Sequence, residues 1–119
     1  MNFFISSESN NLESVKELTL KILDKGHTIP FIWYHRNPLN NIISTASLDA
    51  INNSHVHIIL FPIGRLCHIE IGYSISKGKK TIGIFNNKET YKKGPYGHFN
   101  QWYENIDQFI QSLKDINSI

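Results

Sequence analysis

Glu70 is the residue of this chain whose type and surroundings most directly suggest chemistry. It lies in the run Phe61-Pro62-Ile63-Gly64-Arg65-Leu66-Cys67-His68-Ile69-Glu70-Ile71-Gly72-Tyr73, immediately after an apolar stretch. That order predicts a strand, a turn at Pro62 and Gly64, and a short helix over Cys67 to Lys77 with Glu70 in its first turn. Open α/β sheets bind ligands there, outside the carboxyl ends of the strands and near helix N-termini. A first-turn position favours the ionised carboxylate through the helix dipole, whereas burial opposes it. The plain structural alternative is a glutamate that caps its own helix and pairs with Arg65.

Other groups fall at the ends of the same kind of element. Ser6 and Ser7 close the first apolar run, where hydroxyls and backbone N–H groups can meet a sugar or phosphate or simply make a turn. Arg65 can grip a phosphate bidentately, pair with Glu70 or remain in solvent. Trp33 and Tyr34 can stack on a planar base, and strand alternation turns one of them toward the core. His35 and His98 titrate near neutral pH and are candidate proton donors to a leaving base. His55 and His57 stand two apart on one strand face, but no Cys or carboxylate lies at ligand spacing, so no metal site is expected. Cys67 at a helix N-terminus is placed for a lowered thiol pKa, without a histidine partner to use it.

The elements that must position these groups alternate in period. Asn2 to Ile5 reads as a buried strand, and Leu12, Val15, Leu18, Thr19, Ile22 and Leu23 recur at helical spacing, with Asn10 or Asn11 as cap and Gly26 as stop. Thr28 to Trp33 is a second strand. About Ser44 to Asn53 is a helix with Ala46, Ala50 and Ile51 on one side and Asp49 near its end. Val56 to Phe61 is a central strand broken in polarity only by His57. In the short helix that follows, Ile71 and Ile75 are expected to face inward. Thr81 to Phe85 is a fourth strand, 86 to 97 a polar and basic loop, and 99 to 103 a short fifth strand. Asn105 with Gln108 then opens a last helix by a capping-box pattern.

Nearly all-apolar strands alternating with helices imply a parallel sheet covered on both faces. With right-handed crossovers, the expectation is a three-layer flavodoxin- or Rossmann-like sandwich of four to five strands, in order 2-1-3-4-5. At 119 residues, 40% hydrophobic and 18% charged, the chain is expected to form one domain over 1–119. A net charge of +2 with scattered Lys and Arg argues against a nucleic-acid partner. One cysteine allows no internal disulfide, and no apolar run reaches the length of a membrane helix or secretory signal. A cytoplasmic protein away from the membrane is therefore expected.

The order of these motifs resembles the nucleoside 2-deoxyribosyltransferase-like family, small α/β proteins that cleave or exchange the N-glycosidic bond of nucleosides or nucleotides. Gly26-His27-Thr28 with Trp33 resembles its second-strand motif, and Asp49-Ala50-Ile51 resembles the start of its third-helix motif. Gly64-Arg65 through Glu70-Ile71-Gly72-Tyr73, followed by Gly78-Lys79-Lys80, is similar to its glycine-arginine and glutamate signature. The resemblance puts Glu70 on the family's nucleophile and suggests that Asp49 holds sugar hydroxyls or assists protonation. It implies a small nucleoside or nucleotide as ligand, no cofactor, and a homodimer in which a neighbouring subunit completes the site. His55, Leu66 and the first-loop serines depart from the family pattern. They keep open two alternatives: a nucleotide-binding or sensor domain without turnover, and a TIR-like enzyme that cleaves the nicotinamide bond of NAD.

Retaining cleavage of such a bond requires a carboxylate on the sugar face opposite the base, able to trap the anomeric carbon as an ester. Ser6, Ser7, Trp33, Tyr34, His35, Gly64, Arg65 and His98 are the expected substrate-binding residues around Glu70 and Asp49.

Overall fold

A computed structural model describes residues 1–30, 32, 45–85 and 99–113. Among them, four strands, β1 (Phe3–Ser6), β2 (Val56–Leu60), β3 (Lys80–Ile84) and β4 (Gln101–Tyr103), form one parallel sheet in the order β1-β2-β3-β4. A parallel bridge from Asn2 to Thr28 adds the start of the second expected strand outside β1. The expected order 2-1-3-4-5 is therefore followed as far as the described residues run.

Among the described residues four helices cover the sheet: α1 (Leu12–Asp24), α2 (Thr45–Asn52), α3 (Arg65–Ser76) and α4 (Ile106–Ser112). Val15, Leu18 and Ile22 of α1 and Phe109 of α4 pack on the strand face carrying Phe3, Ile5, Ile58, Leu60, Ile82 and Ile84. On the opposite face α3 brings Cys67 and Ile71 to Ile59, Phe61, Phe85 and Phe99, and α2 brings Ala50 and Ile51 to Phe4. The result is an α/β three-layer sandwich, because strands buried on both faces need an apolar helix on each.

Local details correct several expectations. Asn11 occupies the N-cap position of α1, but its side chain makes no capping bond; its amide donates instead to Ser7 Oγ at 2.8 Å. In α2 it is Ser47, Ala50 and Ile51 that are buried, while Ala46 is exposed. Helix α3 starts two residues before the expected Cys67, since Gly64 with extended backbone serves as its N-cap. Cys67, Ile71 and Ser74 then share the inner face at i, i+4 and i+7, and Ile75 rolls out to 41% exposure. The cap of α4 follows the sequence pattern, with Gln108 N–H donating to Asn105 Oδ1 at 2.7 Å.

One glycine is set by close approach. A Cβ on Gly83 of β3 would come within 2.4 Å of the Trp102 ring, which stacks on Phe85 at 4.3 Å between centroids. Phe99 and Trp102 thus form an aromatic wall with Phe61 and Phe85.

Candidate functional site

The earlier start of α3 moves Glu70 out of the first turn and into the second, where the dipole argument loses its force. From that position the side chain reaches the carboxyl end of β1, and Ser6 Oγ donates to Glu70 Oε1 at 2.7 Å. Burial pushes the Glu70 carboxyl up to about 7, and the Ser6 hydrogen bond pulls it partly back. Burial therefore outweighs every effect favouring the anion. Glu70 neither caps its helix nor pairs with Arg65, which opens α3 as an exposed residue.

Ser6 does not act alone. Its Oγ also lies 2.6 Å from Nε2 of His57 on the neighbouring strand, and Nδ1 of the same ring lies 2.5 Å from Ser74 Oγ. Strand alternation explains the line: Phe4, Ser6 and His57 share the face turned to α3, with Phe4 and His57 in register and their rings edge to face at 5.2 Å. Glu70 and Ser74 lie four apart, on one helix face. Burial holds the His57 imidazole neutral, lowering it to about 3. Sequence reasoning saw His57 as an interruption of a strand and did not single out Ser74. The available signals were one polar residue in a fully apolar strand and a serine four positions beyond the key acid.

The remaining predicted residues separate into groups. Ser7 faces the turn after β2, donating to the Pro62 carbonyl at 3.3 Å, which also accepts the Glu8 N–H at 3.0 Å. Gly64 packs against Glu8, with ordinary van der Waals room for a Cβ. Asp49 is exposed on α2 and makes no side-chain hydrogen bond among the described residues. Trp33, Tyr34, His35 and His98 lie outside the described residues, as do most of the second strand and the 86 to 97 loop. His55, expected beside His57 on one strand face, instead precedes β2 and accepts the Asn2 N–H at 2.9 Å. Its departure from the family pattern thus falls at the amino edge of the sheet, opposite Glu70. The Cys67 thiol is pushed up to about 12 by burial, so the lowering expected from the helix terminus does not occur.

A cleft of about 260 Å³ is lined by Ser14 and Glu17 of α1, Leu60, Phe61, Phe85 and the 104–107 segment. Glu70 is not part of it. No helix among the described residues is long and apolar enough to cross a membrane.

The architecture is that of the nucleoside 2-deoxyribosyltransferase-like fold. A 2-deoxyribosyltransferase from Bacillus psychrosaccharolyticus superposes with a TM-score of 0.74 at 15% identity, over 99% of this chain and 95% of that one. The CMP N-glycosidase BcmB from Clostridium botulinum superposes with a TM-score of 0.63 at 22% identity, over 94% of this chain and 96% of that one. At such identities the likeness establishes the fold. No protein-family model matches the chain, and no curated protein sequence matches it significantly.

Proposed function

We propose that this protein cleaves or exchanges the N-glycosidic bond of a nucleoside or nucleotide, with Glu70 as nucleophile. The observation that carries the reading is a largely buried carboxylate at the carboxyl edge of a parallel sheet, fixed through one oxygen by the Ser6 hydroxyl. With Oε1 occupied, Oε2 is the oxygen available for attack. It adds to the anomeric carbon opposite the base, the C–N bond breaks, and the base leaves with the bond electrons and takes up a proton. Water then releases the sugar, or a second base accepts it. The names of the two structural neighbours, a glycosidase and a transferase, support this bond as the target.

In this reading His35, His98 and Asp49 are the candidates to protonate the base or hold the sugar, and Trp33 and Tyr34 to stack on the base. Ser7, Gly64 and the exposed Arg65 border the end where a phosphate would sit. We also expect a homodimer and a cytoplasmic location.

The test is incubation of the purified chain with nucleosides and their 5′-monophosphates, with and without a second base, following free and exchanged base by chromatography. Turnover should fall at least about 1000-fold in Glu70→Gln. No release or exchange from any substrate, or equal rates in the variant, counts against the proposal. The exposed Asp49 favours the second reading, a binding domain, and a nucleotide that raises the melting temperature yet is recovered intact would assign that role.

A further inference from the structure

Ser6 Oγ carries one hydrogen and has two neighbours able to take it, Glu70 Oε1 at 2.7 Å and His57 Nε2 at 2.6 Å. Which of them receives it depends on the tautomer of the imidazole. A neutral ring has one nitrogen that donates and one that accepts. Beyond the ring, Ser74 Oγ lies 2.5 Å from Nδ1 and makes no other side-chain hydrogen bond among the described residues. An ionised carboxylate only accepts. One arrangement then satisfies every group: Ser74 O–H donates to Nδ1, Nε2–H donates to Ser6 Oγ, and Ser6 O–H donates to Glu70.

We propose that His57 and Ser74 are positioning residues: Ser74 holds the imidazole as its Nε2–H tautomer, which obliges Ser6 to give its hydrogen to the Glu70 carboxylate. Each donor in the line points toward Glu70, so the dipoles reinforce one another in favour of the anion. The other tautomer makes Nε2 an acceptor that competes for the same hydrogen and leaves a buried carboxylate one bond short. The other charged or titratable groups around Glu70 supply no substitute among the described residues. On α3 itself Cys67 is a buried neutral thiol, Arg65 and His68 are exposed, and Tyr73 is half-buried with the Lys77 ammonium over its ring. From the loop after β1 comes Glu8, whose charge, like that of Glu70, raises the Cys67 thiol. On α2 Asp49 is exposed, and Thr81, the β3 partner of His57 in register, has no ionisable group. The catalytic consequence rests on Glu70 being the nucleophile; the tautomer does not.

The test is made without substrate on the full chain, labelled with ¹⁵N-histidine and ¹³C-glutamate. Ring ¹⁵N shifts of His57 at pH 8 should show a protonated Nε2 and a bare Nδ1. The Glu70 carboxyl titration should move up by about one unit in Ser74→Ala and in His57→Phe. It should stay within about 0.3 unit of the parent in His57→Gln, whose amide can donate to Ser6 and accept from Ser74. Where cleavage is measurable, the acidic limb of kcat/KM should shift with the titration. An Nδ1–H ring, or an unmoved Glu70 midpoint in folded Ser74→Ala, overturns the proposal. Ser74→Ala removes one oxygen from a helix and keeps the readout open if His57→Phe fails to fold. An Nε2–H ring with shifted midpoints, in a protein that cleaves nothing, supports the positioning line and defeats only the proposed reaction.

Discussion

The two faces of the sheet are buried to a similar degree and built from opposite materials. Against α1 and α4 lie Phe3, Ile5, Ile58, Leu60, Ile82 and Ile84, an apolar layer with no need of hydrogen bonds. Against α2 and α3 the same strands present Phe4, Ser6 and His57, then Ile59, and a polar line runs from Ser74 to Glu70 through the interior. Burying such groups costs stability unless each is bonded, and here each link lies at 2.5 to 2.7 Å. The contrast separates what holds the fold from what prepares a carboxylate, although the two lie one strand-thickness apart.

The sharpest break of that comparison is on the apolar side. Leu18→Ala removes a fully buried side chain of α1 and should lower unfolding free energy by about 3 to 5 kcal/mol, measured by urea denaturation, while leaving the Glu70 titration where it was. A Glu70 midpoint that moves with Leu18 would show that the faces are coupled.

On the polar side, the expected effect depends on pH. The Glu70 midpoint rises from 4.5 to about 7 on folding, so its contribution to stability is full below 4.5 and is lost as pH climbs through 7. That of His57 falls from 6.5 to about 3, so its contribution is full above 6.5 and is lost as pH drops toward 3. In the parent protein the two slopes offset each other between 4.5 and 6.5. Glu70→Gln removes one of them, and stability should then rise across that window by about 3 kcal/mol in all. Equilibrium unfolding of the variant at both ends of the window checks this, and a flat profile would mean that His57 is not the buried neutral base described.

The smallest effect lies within the α3 face, at its aromatic end. Gly83→Ala drives a methyl into Trp102 and should cost about 1 to 3 kcal/mol without altering the pH profile of unfolding. A silent substitution would show that β4 shifts freely and that the aromatic wall is not a fixed boundary.

The alternating strands and helices were legible because each apolar run is continuous and each helix repeats at its own period, as Val15, Leu18 and Ile22 do. Glu70 was legible as a position, since a carboxylate just past a central strand has few structural reasons to be there. Its surroundings were not. Residues 6, 57, 70 and 74 meet through parallel pairing and helix packing, which no local pattern encodes. A two-residue error at the start of α3 was enough to place Glu70 in the first turn, and so to credit it with a dipole effect that its second-turn position does not supply. Arg65 illustrates the same limit: its type suited an ion pair with Glu70, but on the first residue of the helix it is exposed, five positions away.

The Pro62 carbonyl accepts from both Ser7 and Glu8, and Gly64 rests on Glu8, so the loop after β1 and the turn before α3 are fastened to each other. For anyone redesigning this scaffold toward a different ligand, the two segments form a single graft. A loop borrowed from a relative to replace residues 7 to 10 has to arrive with its matching 62 to 64 turn, or the rim of the site will have one wall from each parent and no seam between them.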